Sequence, residues 1–148
     1  MKRFHFELEK LLAIRAHKER EAEIELGRAV GALTLLEGRI SALAAERLRA
    51  ASSRYAHGFG VPDMVSSDRY IQRLDADKER LIKEAAQAEL KVEEARRLYV
   101  EASRERKILD KLKERRERDY RRFVLGEETK TVDDISSGSR ARSAAVQG

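Results

Sequence analysis

The chain has 148 residues, of which 40% are charged and 5% aromatic, with one Pro and no Cys or Trp. Such a composition belongs to long exposed helices that bury a narrow seam rather than a thick core. It leaves no residue for a disulfide or a thiol nucleophile. Net charge is +5, and its location matters more than its size: Arg104 to Arg122 holds ten Lys or Arg against five Asp or Glu. A basic segment of this kind favours acidic partners and salt-sensitive association.

No uninterrupted apolar run approaches membrane-spanning length. The N-terminus offers no apolar stretch suited to a signal peptide. Both observations predict a cytoplasmic protein.

The first predicted helix runs from about Phe4 to about Tyr55. Leu8, Leu12, Ala22, Leu26, Ala29, Leu33, Leu36, Ile40, Leu43 and Ala50 fall on a seam of alternating 3–4 spacing, interrupted by Arg15, Glu19 and Arg47. Gly27, Gly31 and Gly38 lie off that seam. Each costs the helix about 1 kcal/mol relative to Ala. They mark a softer helix and not a membrane packing motif, because charges surround them.

His57 to Asp63 holds two Gly and the sole Pro, and ends helix one in a loop over about 56–66. Ser66 or Ser67 is the expected N-cap of helix two, with Asp68 in its first turn. Helix two spans about 67–125. Ile71, Leu74, Leu81, Ala85, Ala88, Val92, Ala95, Tyr99, Ala102, Leu109, Tyr120 and Phe123 form its seam, with Lys78, Arg106, Lys113 and Arg116 as charged members. A stripe this narrow suits one partner helix. At 1.5 Å per residue the helix is roughly 80 Å long.

Two helices of similar length around a short loop make an antiparallel hairpin in which each covers the other's seam. Facing residue numbers then sum to about 122. The seam is satisfied within one chain, so dimerisation is not required to cover it. Gly126 is the expected C′ residue of helix two. Residues 126–148 are rich in Ser and Gly and read as a flexible tail. The predicted fold is all-α: a long two-helix antiparallel coiled-coil hairpin over 1–125 with a disordered C-terminal tail.

The aromatics gather in two places. Phe4, Phe6, Tyr120 and Phe123 meet where the termini meet, and Tyr55, Phe59 and Tyr70 meet near the loop. They either seal a coiled coil that would otherwise fray or form contact surfaces.

Catalysis finds no support. His5, His17 and His57 are scattered, and there is no phosphate loop, no nucleophile elbow and no cleft. His5 with Glu9 and His17 with Glu21 are i,i+4 pairs on a charged surface, where a solvated pair is the simpler reading than a metal site. We expect no enzyme activity, no metal and no cofactor. Nucleic acid is disfavoured as a partner, because Asp110, Glu114, Glu117 and Asp119 interrupt the basic segment and no stacking platform is visible.

Four stretches resemble the FliJ family, the small coiled-coil component of the flagellar type III export apparatus. They are Phe4-x-Phe6-x-Leu8-x-x-Leu11-Leu12-x-x-Arg15 followed by Glu19; Tyr70-Ile71-Gln72-x-Leu74; Glu105-Arg106-Lys107-x-Leu109-x-Lys111-Leu112-Lys113-Glu114-Arg115 with Tyr120 beyond; and Thr131-Val132-Asp133-Asp134-Ile135. Their order, over nearly the full length, is more specific than any one of them. The resemblance implies a stalk that inserts into the hexameric flagellar export ATPase, contacts the cytoplasmic domain of the export gate and escorts export chaperones. It implies a peripheral position at the cytoplasmic face of the inner membrane. By analogy with a rotary stalk, the ring-facing residues would be Phe4, Phe6, Arg115, Arg116, Arg118, Tyr120 and Phe123. The gate-facing residues would be Tyr70 and Leu74, with Asp77 standing where the family can have a small residue. An injectisome stalk homologue is the nearest alternative, and a generic scaffolding or nucleic-acid-associated coiled coil is the next.

Overall fold

The computed structural model describes residues 3–54, 58 and 60–146. Two helices account for nearly all of them: α1, Glu9–Ser53, and α2, Val61–Val146. There is no strand among the described residues. The chain forms two compact units, one of His17–Ser103 and one of Met1–Ala16 with Arg104–Gly148. In each unit a stretch of α1 runs antiparallel to a stretch of α2.

The register can be read from ion pairs. In the His17–Ser103 unit, Arg47 Nε lies 2.5 Å from Asp75 Oδ1 and Arg54 Nη2 lies 2.7 Å from Asp68 Oδ1. Both pairs of numbers sum to 122, the sum expected from sequence. In the terminal unit, Lys113 Nζ lies 2.8 Å from Glu9 Oε2, and Arg15 pairs with Glu105. These sum to 122 and 120. All four pairs are partly exposed, so each fixes register more than it adds stability.

The core is a single file. Leu74, Leu81, Ala85, Ala88 and Val92 of α2 are buried, and every one lies on the predicted seam. No residue of α1 is fully buried. Its half-buried positions include Leu12, Leu26, Leu33, Leu36, Ile40, Leu43 and Ala50 of its own predicted seam, with Ala16, Glu46 and Ala51 added and Arg47 exposed. One helix cannot close over its partner on all sides, so the seam residues stay near the surface.

Three features differ from the sequence reading. The first is the start of α1. Residues 3–8 are not helical; the Glu9 amide donates to the Phe6 carbonyl at 3.1 Å, which turns the segment into the helix.

The second is the start of α2, six residues earlier than expected. Gly60 is the N-cap, not Ser66 or Ser67. The Asp63 carboxylate accepts from the Gly60 amide at 3.0 Å, and the Met64 amide donates to the Gly60 carbonyl at 3.1 Å. This is the return half of a capping box. Pro62 stands in the first turn, where its missing N–H costs nothing and its fixed φ suits the helix. Gly58 takes φ 105°, which L side chains rarely adopt, and carries the turn before it. His57 and the loop aromatics Tyr55 and Phe59 lie outside the described residues.

The third is the far end of α2. The helix runs through Gly126 and continues to Val146. No Pro follows Gly126, and an interior Gly lowers helix stability without ending it. From Leu125 to Ser143 all residues but Ser136 and Gly138 are exposed. Hydrogen bonds there are local, such as Thr129 Oγ1 to the Leu125 carbonyl and Thr131 Oγ1 to the Glu127 carbonyl.

The seam itself shifts along α2. From Ile71 to Ala102 the buried and half-buried residues are the predicted ones, with Asp75 added. Beyond that, cover spreads to the following residue as well: Ser103, Asp110, Glu117 and Val124 are covered, while Leu109, Lys113 and Tyr120 of the predicted seam stay half-buried. Arg116 and Phe123 are exposed. A 3.6-residue helix falls about 20° behind a strict heptad on each repeat. Four or five repeats after Leu74 that lag amounts to roughly one residue, the direction in which the cover spreads.

Candidate partner-binding surfaces

The terminal unit carries the first candidate surface. Its two elements are the 3–8 segment and the part of α2 beyond Arg104. Phe6 is 6% exposed and belongs to the core. Phe4 lies against Tyr120, with ring centroids 5.6 Å apart and planes inclined at 47°. That tilted arrangement suits the ring quadrupoles. Phe123 is 65% exposed.

Arg115, Arg116 and Arg118 are exposed, and none is in an ion pair among the described residues. Arg121 differs, since its Nη2 lies 2.6 Å from Glu117 Oε1. Arg116 also borders a shallow hollow with Phe4, Phe6, Leu112 and Tyr120. The structure thus brings Phe4, Phe6, Arg116 and Tyr120 together. It leaves Arg115, Arg118 and Phe123 on open helix surface. Of the seven residues expected to face a ring, Arg115, Arg116, Arg118 and Phe123 are exposed, Phe4 and Tyr120 are half-buried against each other, and Phe6 is a packing residue.

The second candidate surface lies in the other unit, near the start of α2. Tyr70 is 41% exposed, but its hydroxyl donates to Glu46 Oε1 on α1 at 3.1 Å. The carboxylate of Glu46 also accepts from Arg49. Arg49 first, and Tyr70 second, hold the Glu46 carboxyl below its ordinary range. The Tyr70 phenol is pushed up, chiefly by its bond to that carboxylate. Leu74 is 7% exposed and packs in the core. The expected pair therefore divides: Tyr70 faces outward and Leu74 faces α1.

Sequence reasoning missed the apolar side chains at the start of α2. Val61, Met64 and Val65 are exposed on the first turns of α2, at the i, i+3, i+4 spacing that places them on one face. The signal was Pro62 followed by Asp63, which marks a helix start and would have moved these residues out of the loop.

No catalytic geometry is visible among the described residues. His17 Nε2 lies 3.1 Å from Glu21 Oε1 as a lone exposed pair. No group of three or more metal-ligating residues occurs among them, and no helix is long and apolar enough to cross a membrane.

The chain matches the family described as flagellar FliJ protein over residues 4–145. No curated protein and no solved structure matches it. With that match covering both helices and both candidate surfaces, the chain belongs to the flagellar FliJ family of export-related coiled-coil proteins.

Proposed function

We propose that the protein is a non-enzymatic stalk and adaptor of the flagellar export apparatus. In this reading the terminal unit inserts into the hexameric export ATPase, and the surface around Tyr70 meets the cytoplasmic domain of the export gate. Export chaperones are further partners of the same protein. Its place is then the cytoplasmic side of the inner membrane, held there through the apparatus.

The observation that carries the ring half is Arg116 beside Phe4 and Tyr120, with Arg115 and Arg118 exposed on the same stretch of α2. An aromatic pair with a cation beside it and further exposed cations nearby gives a surface that both steers and anchors an acidic partner. The nucleic-acid alternative is weaker, because Glu114, Glu117 and Asp119 sit among these arginines and would repel phosphates.

The test is co-purification with the export ATPase and its rate of ATP hydrolysis. The parent chain is expected to bind and to stimulate. Arg115→Glu with Arg116→Glu and Arg118→Glu is expected to reduce stimulation about tenfold and to flatten its salt dependence, with helicity unchanged by circular dichroism. Stimulation that survives the triple reversal would sink the ring half.

A further inference from the structure

We propose that the outer face of α2 from Arg104 to Arg122 binds the surface of an anionic lipid bilayer directly. Bilayer binding is independent of the stalk reading. Four of the six cations concerned, Arg104, Lys107, Lys111 and Arg122, belong to no surface described above.

In the linear string carboxylates interrupt these cations, but the helix sorts them onto different sides. Successive residues turn by about 100°, which brings Arg104, Lys107, Lys111, Arg115, Arg118 and Arg122 within about 40° of one line along α2. All six are exposed, and none has an ion pair among the described residues. The seam residues that meet the rest of the unit, Lys113 with Glu9 and Tyr120 with Phe4, lie on the opposite side of the helix. Three of the five carboxylates in this stretch are already engaged: Glu105 by Arg15, Asp110 by Arg106 and Glu117 by Arg121. The other two, Glu114 and Asp119, lie about 60° and about 80° to the side of the line.

The shape of this charge identifies the partner. A straight line of free cations about 27 Å long is matched by an anionic surface that is flat over that length. A bilayer of anionic lipids is such a surface, and it meets the helix on one face only. A nucleic-acid groove, or a strand wrapped about the helix, also meets the flanks, where Glu114 and Asp119 repel it. The face from Arg104 to Arg122 has no aromatic or amide side chain for stacking on bases or reading them. Its apolar members, Ile108 within the line and Leu125 just beyond it, are 67% and 63% exposed. Such side chains suit the boundary between headgroups and acyl chains. Arg115 and Arg118 are shared with the proposed ring contact, so the chain can use them on a bilayer or in a ring, but not on both at once.

Co-sedimentation of the full chain with vesicles tests this. The parent is expected to bind vesicles of about 30% phosphatidylglycerol in phosphatidylcholine and to ignore pure phosphatidylcholine. Its affinity is expected to fall at least about tenfold between about 0.05 and 0.5 M salt. Arg104→Glu with Lys107→Glu and Lys111→Glu is expected to weaken binding at least about 30-fold. Lys18→Glu with Arg39→Glu and Lys83→Glu reverses three exposed cations of the other unit. Three charges each change by two in either variant, so both go from a net +5 to −1. The second is nevertheless expected to stay within about threefold of the parent, because its charges lie off the line. Lys107→Arg with Lys111→Arg is expected to bind as the parent does, and circular dichroism is expected to show equal helicity in all variants. The chain has no native Trp. Ile108→Trp is expected to shift its emission to the blue on anionic vesicles, and Ile14→Trp, at an exposed position of α1 in the same unit, is not. Failure to bind anionic vesicles, equal losses in the two triple reversals, equal shifts at the two Trp positions, or a single-stranded RNA oligonucleotide bound while vesicles are ignored would each overturn the proposal.

Discussion

The Tyr70 hydroxyl of α2 donates to Glu46 Oε1 of α1 at 3.1 Å, so the exposed aromatic of the second candidate surface is held by the opposite helix. The bond stabilises the phenol and the carboxylate together. A raised phenol pKa contributes stability that is complete below the unfolded tyrosine value and is lost as pH rises through the folded one. A lowered carboxyl pKa contributes stability that is complete above the unfolded glutamate value and is lost as pH falls through the folded one. Both groups are exposed, so both effects are small. NMR titration of labelled tyrosine is expected to place the Tyr70 midpoint above the ordinary phenol range, and Glu46→Gln to bring it back. An unshifted midpoint in the parent would remove the bond.

The division between Tyr70 and Leu74 separates binding from stability. Leu74→Ala empties a buried seam position and is expected to cost about 2–4 kcal/mol. Tyr70→Ala deletes a half-exposed ring and is expected to stay within about 1 kcal/mol of the parent. On the proposed gate contact, Tyr70→Ala loses the export gate domain in a pull-down yet still stimulates the ATPase. Normal gate binding by Tyr70→Ala would leave that aromatic a structural brace only.

How much of this was legible in the sequence depends on which forces act locally. The seam from Ile71 to Ala102 was read residue by residue, because a two-helix pair has no other way to hide apolar surface. The register followed from loop position alone. Phe123 was misplaced because a strict heptad was extended past the point where a 3.6-residue helix keeps it. Leu74 and Phe6 look like partner residues in a linear string, and only packing shows them turned inward. The start of α2 was missed because Pro62 was weighed as a breaker and not as a first-turn residue.

The seam also makes a contrast within one helix. Leu81 is 8% exposed and Leu90 is 72% exposed. Leu81→Ala is expected to lower stability by about 2–4 kcal/mol, and Leu90→Ala by less than about 0.5 kcal/mol. Chemical denaturation of both variants checks it. Equal losses would mean that α2 is covered on a second side.

Gly27, Gly31 and Gly38 offer gains. An added Cβ at each meets nothing within 4 Å, and none has a positive φ. Ala at each is expected to raise stability by up to about 1 kcal/mol, through helix propensity and a less free unfolded chain. The measurement is the melting temperature of the triple variant. A fall would show that the outer face of α1 needs bare backbone for a close neighbour.

The last prediction concerns α2 beyond Leu125. Over the seam, tertiary packing supports the helix; beyond Leu125 the exposed side chains have only local bonds. Thr129, Thr131, Val132, Asp133, Asp134, Gly138 and four serines are poor helix formers. A helix of about twenty such residues, without cover, is marginal in water. The flexible tail expected from composition and the helix in the structure are then two sides of one equilibrium, and cover decides between them. At low micromolar protein, backbone amides of 127–143 are expected to exchange far faster than those of Leu81 to Val92. Strong protection would mean that this stretch of α2 is stabilised by more than its local bonds, and the tail would have to be counted as part of the folded unit.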